Sequence, residues 1–170
     1  EKDTSDKNGI IVLLPYYRDE MITLLEILKD SKLASMDILI KLHPTHNPLE
    51  ISSLIQDSWK VVDGNLLSLL KKISIVITIG SSTAVDAIAL EKSVLLVTKN
   101  RSTMTNFLIK EGYKTVWDIA TTGEEIDEKF DTLQEIRKSK KRSIEEVALF
   151  YRTQLYVKPT KSSIKKAFDL

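Results

Sequence analysis

The chain predicts an α/β fold: a Rossmann-like, doubly wound parallel sheet in three α/β/α layers, with additional C-terminal helices. Three observations predict it. Apolar, β-branched runs recur at Ile10–Leu14, Ile38–Leu42, Ile75–Ile79 and Val94–Val97. They are continuous rather than alternating, as strands buried on both faces read. Segments of helical periodicity lie between them on short connections, and that order requires right-handed crossovers with helices on both faces of the sheet.

Residues 1–9 are polar and are expected to form a mobile lead-in to one domain spanning 10–170. Ile10–Leu14 is the first strand, ended by Pro15. Met21, Leu24, Leu25 and Leu28 recur at helical spacing between Asp19 and Lys32. Ile38–Leu42 is the second strand. Asn47, Pro48 and Glu50 suit the N-cap, N1 and N3 positions of a helix expected to reach Asp57. Trp59–Val62 is a short strand and Leu66–Lys72 a short helix. Ile75–Ile79, Ala84–Leu90 and Val94–Val97 then read as strand, helix and strand.

Beyond Lys99 the pattern weakens. Thr105–Gly112 reads as a helix closed by its glycine, and Thr115–Trp117 as an edge strand. Glu124–Ser139 is a charged helix. Ser143–Leu155 carries Ile144, Val147, Ala148, Tyr151 and Leu155 on one stripe, so it packs on the core. Ser162–Phe168 reads as a last short helix.

Composition narrows the function classes. A net charge of +1 argues against a dedicated nucleic-acid binder. The absence of cysteine excludes disulfides and thiolate metal sites. No apolar run approaches the roughly 20 residues of a membrane span, and residues 1–9 lack a signal-peptide core. A cytoplasmic location is expected, with peripheral contact at the inner membrane face through the basic run Lys138–Arg142 as a further expectation. That run also suits a solvated helix boundary. The chain starts at Glu1 rather than Met and is read as a piece of something longer.

The chemistry gathers where strands end. Gly80-Ser81-Ser82-Thr83 follows a strand and opens a helix, where free N–H groups and hydroxyls suit a phosphate. The same residues would also serve as a plain helix cap, but capping needs only one hydroxyl. His43-Pro44 ends the second strand on the same edge, where an imidazole can donate to a phosphate oxygen or act as general acid. A surface loop histidine is the alternative. Arg18 follows the first strand and can clamp a phosphate or pair with Asp19 or Glu20 in solvent. Asp86 lies inside the helix that starts at the glycine turn, as a ribose contact or a dipole-stabilising acid. His46 is secondary to His43, and the pair lacks a third metal ligand nearby. Neither GxxxxGK[ST] nor GxGxxG is present.

Three segments together resemble the CDP-glycerol glycerophosphotransferase (teichoic acid polymerase) family. IIVLLPYYRDE resembles its first strand and arginine loop, which usually ends P-T-W-R-D. ILIKLHP resembles its K-x-H-P segment, and ISIVITIGSSTAVDAIALEKSVLLV its strand–D-Y-S-S–helix–strand segment. The histidine-proline and serine pairs also occur in bacterial sialyltransferases and capsule polysaccharide transferases. Here Tyr16-Tyr17 stands for Thr-Trp, Ile79-Gly80 for Asp-Tyr, and Ser93 where proline is common.

The resemblance implies the C-terminal, nucleotide-binding half of a GT-B transferase acting in bacterial surface polysaccharide or teichoic-acid-like synthesis. Its donor would be a CDP-, CMP- or UDP-linked sugar or polyol, with no separate cofactor, metal or nucleic acid. His43 would be catalytic and contact the donor phosphates. Arg18, Gly80, Ser81, Ser82 and Thr83 would bind phosphate, and Asp86 would sit near the ribose. The acceptor domain would precede this chain, which alone would bind nucleotide without turnover. A UDP-sugar 2-epimerase-like domain and a non-catalytic binding or scaffold module are the alternatives.

Overall fold

A computed structural model describes residues 9–102, 104–156 and 162. The lead-in expected over residues 1–9, apart from Gly9, and the last helix expected over Ser162–Phe168, apart from Ser162, fall outside them. The elements run β1 (Gly9–Leu13), α1 (Arg18–Lys29), β2 (Ile38–Lys41), β3 (Trp59–Val62), α2 (Leu66–Leu70) and β4 (Ile73–Thr78). They continue with α3 (Thr83–Ala89), β5 (Ser93–Val97), β6 (Trp117–Ala120), α4 (Gly123–Ser139) and α5 (Lys141–Gln154).

The strands form one six-stranded sheet in the order β3-β2-β1-β4-β5-β6. Every pairing is parallel, with Val12 opposite Ile40 on one side and Ile77 on the other. The chain builds outward from β1 to β3, crosses back, and builds the other way from β4 to β6. The strand order therefore reverses between β1 and β4, and a crevice opens at the carboxyl ends of those strands.

Continuous apolar strands make this architecture because successive side chains point to opposite faces. Ile10 and Val12 of β1 pack with Met21, Leu24 and Leu28 of α1 and with Ile126, Phe130 and Leu133 of α4. Ile11 and Leu13 pack on the other face with Ala84, Ala87 and Ile88 of α3 and with Ile144, Val147 and Tyr151 of α5. Full burial of each such aliphatic side chain contributes about 1.5–3 kcal/mol. The fold is thus the expected Rossmann-like three-layer α/β/α arrangement, with α4 and α5 as its C-terminal helices. The basic run Lys138–Arg142 spans the junction between those two helices.

Several boundaries differ from the sequence expectation. Helix α1 stops at Lys29 because Ser31 diverts the backbone: its hydroxyl donates to Leu28 O at 2.7 Å and accepts from Leu33 N at 3.2 Å. The capping box at Asn47 forms, with Leu49 N donating to Asn47 Oδ1 at 3.0 Å and Asn47 N donating to Glu50 Oε1 at 3.3 Å. It starts only a single 3₁₀ turn, Pro48–Ile51, rather than a helix to Asp57. The Ser52 hydroxyl takes Leu49 O at 3.0 Å, and turns follow.

Thr105–Gly112 is not helical. The Asn106 side chain accepts from Leu108 N at 2.8 Å, a local bond that competes with the helical ladder. Gly112 instead closes a turn, its carbonyl accepting from Val116 N at 2.7 Å, and delays the last strand to Trp117–Ala120.

The start of α4 is locked sterically and electrostatically. A Cβ on Gly123 would lie 2.1 Å from Asp30 O, so only glycine lets α4 seat against the end of α1. Thr122 caps the helix by accepting from Glu125 N at 3.2 Å. Glu125 in turn accepts from Thr121 N at 2.7 Å and from the Thr121 hydroxyl at 3.0 Å, and it pairs with Arg101 and Lys129. Burial pushes the Glu125 carboxyl up, but these donors outweigh it and hold its pKa at about 2.

A carboxylate held this low stabilises the fold fully above its ordinary value of 4.5, and that contribution is lost as pH falls towards about 2. Glu125→Gln should therefore lower the urea midpoint near neutrality, and the gap to the parent should narrow on acidification. A gap independent of pH would show that the Glu125 charge has no native-state preference.

Candidate functional site

Three strand ends meet at the crevice between β1 and β4. Leu14 N still donates to Lys41 O at 2.9 Å, and Pro15, which has no N–H, stops the ladder there. The buried Thr78 hydroxyl donates to Leu13 O at 2.9 Å, so β4 is tied to β1 just below the opening. The backbone then turns at Gly80 with φ of +55°, a left-handed conformation that favours glycine. A Cβ there would find ordinary space, so the dihedral and not crowding sets the residue.

The crevice is a cleft of about 330 Å³ lined by Tyr16, Tyr17, Glu20, His43, Gly80, Ser81 and Ser82, with Thr105 and Phe107 on a further wall. Its volume lies at the small end of the range typical of ligand pockets. Four of the expected site residues are brought together here: His43, Gly80, Ser81 and Ser82. The Ser81 hydroxyl is already used, accepting from Thr83 N at 3.2 Å. Ser82 precedes α3 without a side-chain capping bond, so its hydroxyl is available at the cleft. One serine shapes the turn and the other faces outward.

His43 is held by a local contact to Thr45. Its Nδ1 accepts from Thr45 N at 3.4 Å and lies 2.8 Å from the Thr45 hydroxyl. With Nδ1 accepting from Thr45, the proton of the neutral ring lies on Nε2. Tyr16 meets the imidazole edge-on, with ring centres 5.3 Å apart.

His46 plays a different part. Its side chain is 9% exposed, and its Nε2 lies 3.1 Å from Pro15 O, which can only accept. His46 Nε2–H thus bridges the loop after β2 to the loop after β1. Nδ1 faces Glu50 Oε2 at 3.6 Å, while the other oxygen of Glu50 serves the capping box.

The remaining expected residues lie elsewhere. Arg18 opens α1 beside Tyr17 but does not line the cleft; its side chain is exposed and makes no ion pair among the described residues. Thr83 gives its N–H to Ser81 and is not on the cleft wall. Asp86 also lies away from the cleft wall. It accepts from the Tyr156 hydroxyl and lines a separate surface groove, because the buried stripe Ala84, Ala87 and Ile88 faces the sheet and turns position 86 away. Among the described residues the carboxylate lining the cleft is Glu20.

Sequence reasoning also missed the aromatic walls. Tyr16 is 57% and Tyr17 66% exposed, and adjacent aromatics left in water after a buried strand were the signal for them. Phe107 sits in the segment misread as a helix. Among the described residues no cluster of three or more His, Asp or Glu side chains could hold a metal ion, and no helix is long and apolar enough to cross a membrane.

No protein-family model matches the sequence, and no curated protein matches it significantly. Solved structures do. The wall teichoic acid polymerase TagF superposes with a TM-score of 0.55 at 15% identity, covering 84% of this chain and 38% of that one. A TagF variant soaked with CDPG gives a TM-score of 0.53 at 16% identity, covering 84% of this chain and 36% of the other. The glycosyltransferase SnogD from Streptomyces nogalater gives 0.55 at 16% identity, with 88% and 44% covered. This chain therefore spans less than half the length of each. The likeness shows a Rossmann-like α/β fold.

His46→Ala should destabilise the protein by about 1–3 kcal/mol in urea unfolding, since it leaves Pro15 O without its donor and empties a nearly buried site. An unchanged midpoint would mean that the two loops are held together by other contacts.

Proposed function

We propose that this chain is the donor-binding domain of a GT-B-type transferase that uses a nucleotide-linked sugar or polyol. The reading rests on one observation: His43 and the Gly80-Ser81-Ser82 turn, far apart in sequence, line one cleft at the reversal of strand order. Crevices at that position are where open α/β sheets bind ligands. The fold shared with TagF and SnogD supports the same class. The finer reading is a CDP-, CMP- or UDP-linked donor consumed in bacterial surface polysaccharide or teichoic-acid-like synthesis.

In such a transfer the bond from donor to nucleotide breaks, the acceptor hydroxyl gains the sugar or polyol phosphate, and negative charge grows on the leaving phosphate. His43 Nε2–H and the Ser82 hydroxyl are the groups placed to donate to those oxygens, with His43 in the catalytic role. Gly80 and Ser81 shape the turn that presents them, and Thr83 anchors it from behind. Arg18, exposed and without an ion pair among the described residues, adds a cation at the same edge. Glu20 replaces Asp86 as the carboxylate that accepts from sugar or ribose hydroxyls. A partner domain carrying the acceptor site, and contact with the inner membrane face, belong to the same proposal.

Calorimetric titration with CDP, CMP, UDP and ADP tests it. At least one should bind, and His43→Ala and Ser82→Ala should each weaken that binding by about 1–3 kcal/mol, the range for a hydrogen bond to a charged group. Asp86→Asn should leave it unchanged. Absence of binding by all four at millimolar concentration overturns the reading.

A further inference from the structure

The loop from β1 into α1 gives the cleft more than a phosphate needs. Tyr16 and Tyr17 line it with their rings largely in solvent, and Glu20 lines it from the third position of α1. Tyr17 is the N-cap residue of that helix, so Tyr17 and Glu20 stand three positions apart on one side of its first turn. Neither the two phenol hydroxyls nor the Glu20 carboxylate has a hydrogen bond or ion pair among the described residues. A carboxylate repels phosphate oxygens, so Glu20 serves a part of the ligand that offers hydroxyls. Stabilising the helix dipole does not account for it. Asp19 occupies the same turn in full solvent, whereas Glu20 is half-buried at the cleft wall.

We propose that Tyr16, Tyr17 and Glu20 hold the transferred group of the donor, and that this group is a sugar ring rather than an open-chain polyol. The inference rests on the donor-binding reading above and narrows its substrate class. Position assigns the transferred group to this wall. Tyr16 meets His43 edge-on with ring centres 5.3 Å apart and Tyr17 with ring centres 5.2 Å apart, so the three rings form one run leading away from the imidazole. His43 donates to the leaving phosphate, and the group that leaves that phosphate lies beside it. The base is separated from the same phosphate by the ribose. Chemistry assigns the ring. Aromatic lining with a few placed polar groups holds ligands that combine apolar faces with polar edges. A sugar ring has that shape, with C–H groups on its faces for the tyrosines and hydroxyls around its edge for Glu20 and the phenols. An open-chain polyol has no face to lay on an aromatic ring, and it loses rotational freedom when held.

Calorimetric titration of the full chain with CDP, CDP-glycerol, CDP-glucose, UDP and UDP-glucose separates the base from the transferred group. The glucose-linked form should bind about tenfold tighter than its bare nucleotide, the gain expected of hydrogen bonds to one carboxylate. CDP-glycerol should show no such gain over CDP. Tyr17→Ala and Glu20→Gln should each bring the ratio of glucose-linked to bare affinity close to one. Tyr17→Phe, which keeps the ring, should retain most of it. A bare nucleotide that binds without gain from glucose, a gain that survives both substitutions, or an equal gain from glycerol overturns the proposal and leaves the donor-binding reading standing. Binding by none of the five ligands overturns both.

Discussion

The parallel pairing of β1 with β4 is the constraint on which the rest of the molecule depends. These strands are neighbours in space although α1, β2, β3 and α2 all lie between them in sequence. Their contact makes the strand order reverse, and a reversal leaves a crevice because the connecting loops on either side depart in opposite directions. The pairing is specified by burial. Ile75, Val76 and Ile77 of β4, like Ile11 and Val12 of β1, have no solvent exposure and supply both faces of the sheet. A shift of one residue would send each side chain to the opposite layer. The Thr78 hydroxyl, bonded to Leu13 O, adds a directional fix at the last rung below the opening. Without that register, His43 and Ser82 would not share a wall.

Above that rung, rigidity and availability are divided between neighbouring side chains. His46 spends its Nε2 proton on Pro15 O, and Glu50 spends both oxygens around the loop, so the segment carrying His43 is braced. Thr45 holds the Nδ1 edge of the His43 ring. At the other wall Ser81 closes the turn and Ser82 is left with no capping duty. Groups that would meet a ligand are thus flanked by groups already satisfied within the chain. Such bracing holds donors in place before a ligand arrives and reduces the ordering cost of binding.

The sheet was legible because its signal is strong and local. Runs such as Ile75–Ile79 can hardly be anything but strands buried on both faces once helical segments flank them. The common edge of His43 and Gly80 followed from strand direction alone. What escaped had a different character. The segment Thr105–Gly112 carries a helix-like spacing, yet a single Asn106 side-chain bond to Leu108 N competes with helix there, and periodicity cannot register that. Phe107 was lost to the site with it. The turn at Gly112 likewise moved the edge strand to Trp117–Ala120.

Asp86 shows where sequence position stops being a guide to a site. A residue a turn into a helix is close to the helix start along the chain, but its direction is set by the 100° step between residues and by which stripe the helix must bury. In α3 that stripe is Ala84, Ala87 and Ile88, small at the positions nearest the sheet so that the helix can sit close. Once those residues face the core, position 86 faces α5 and the Tyr156 hydroxyl, whatever ligand the helix start would hold. Glu20 obeys the same geometry with the opposite result. The buried face of α1 holds Met21, Leu24, Leu25 and Leu28, and position 20, in the first turn, is left on the rim where the loop after β1 opens into the cleft. Helical phase, more than distance along the chain from a strand end, decides which carboxylate a ligand in this cleft would meet.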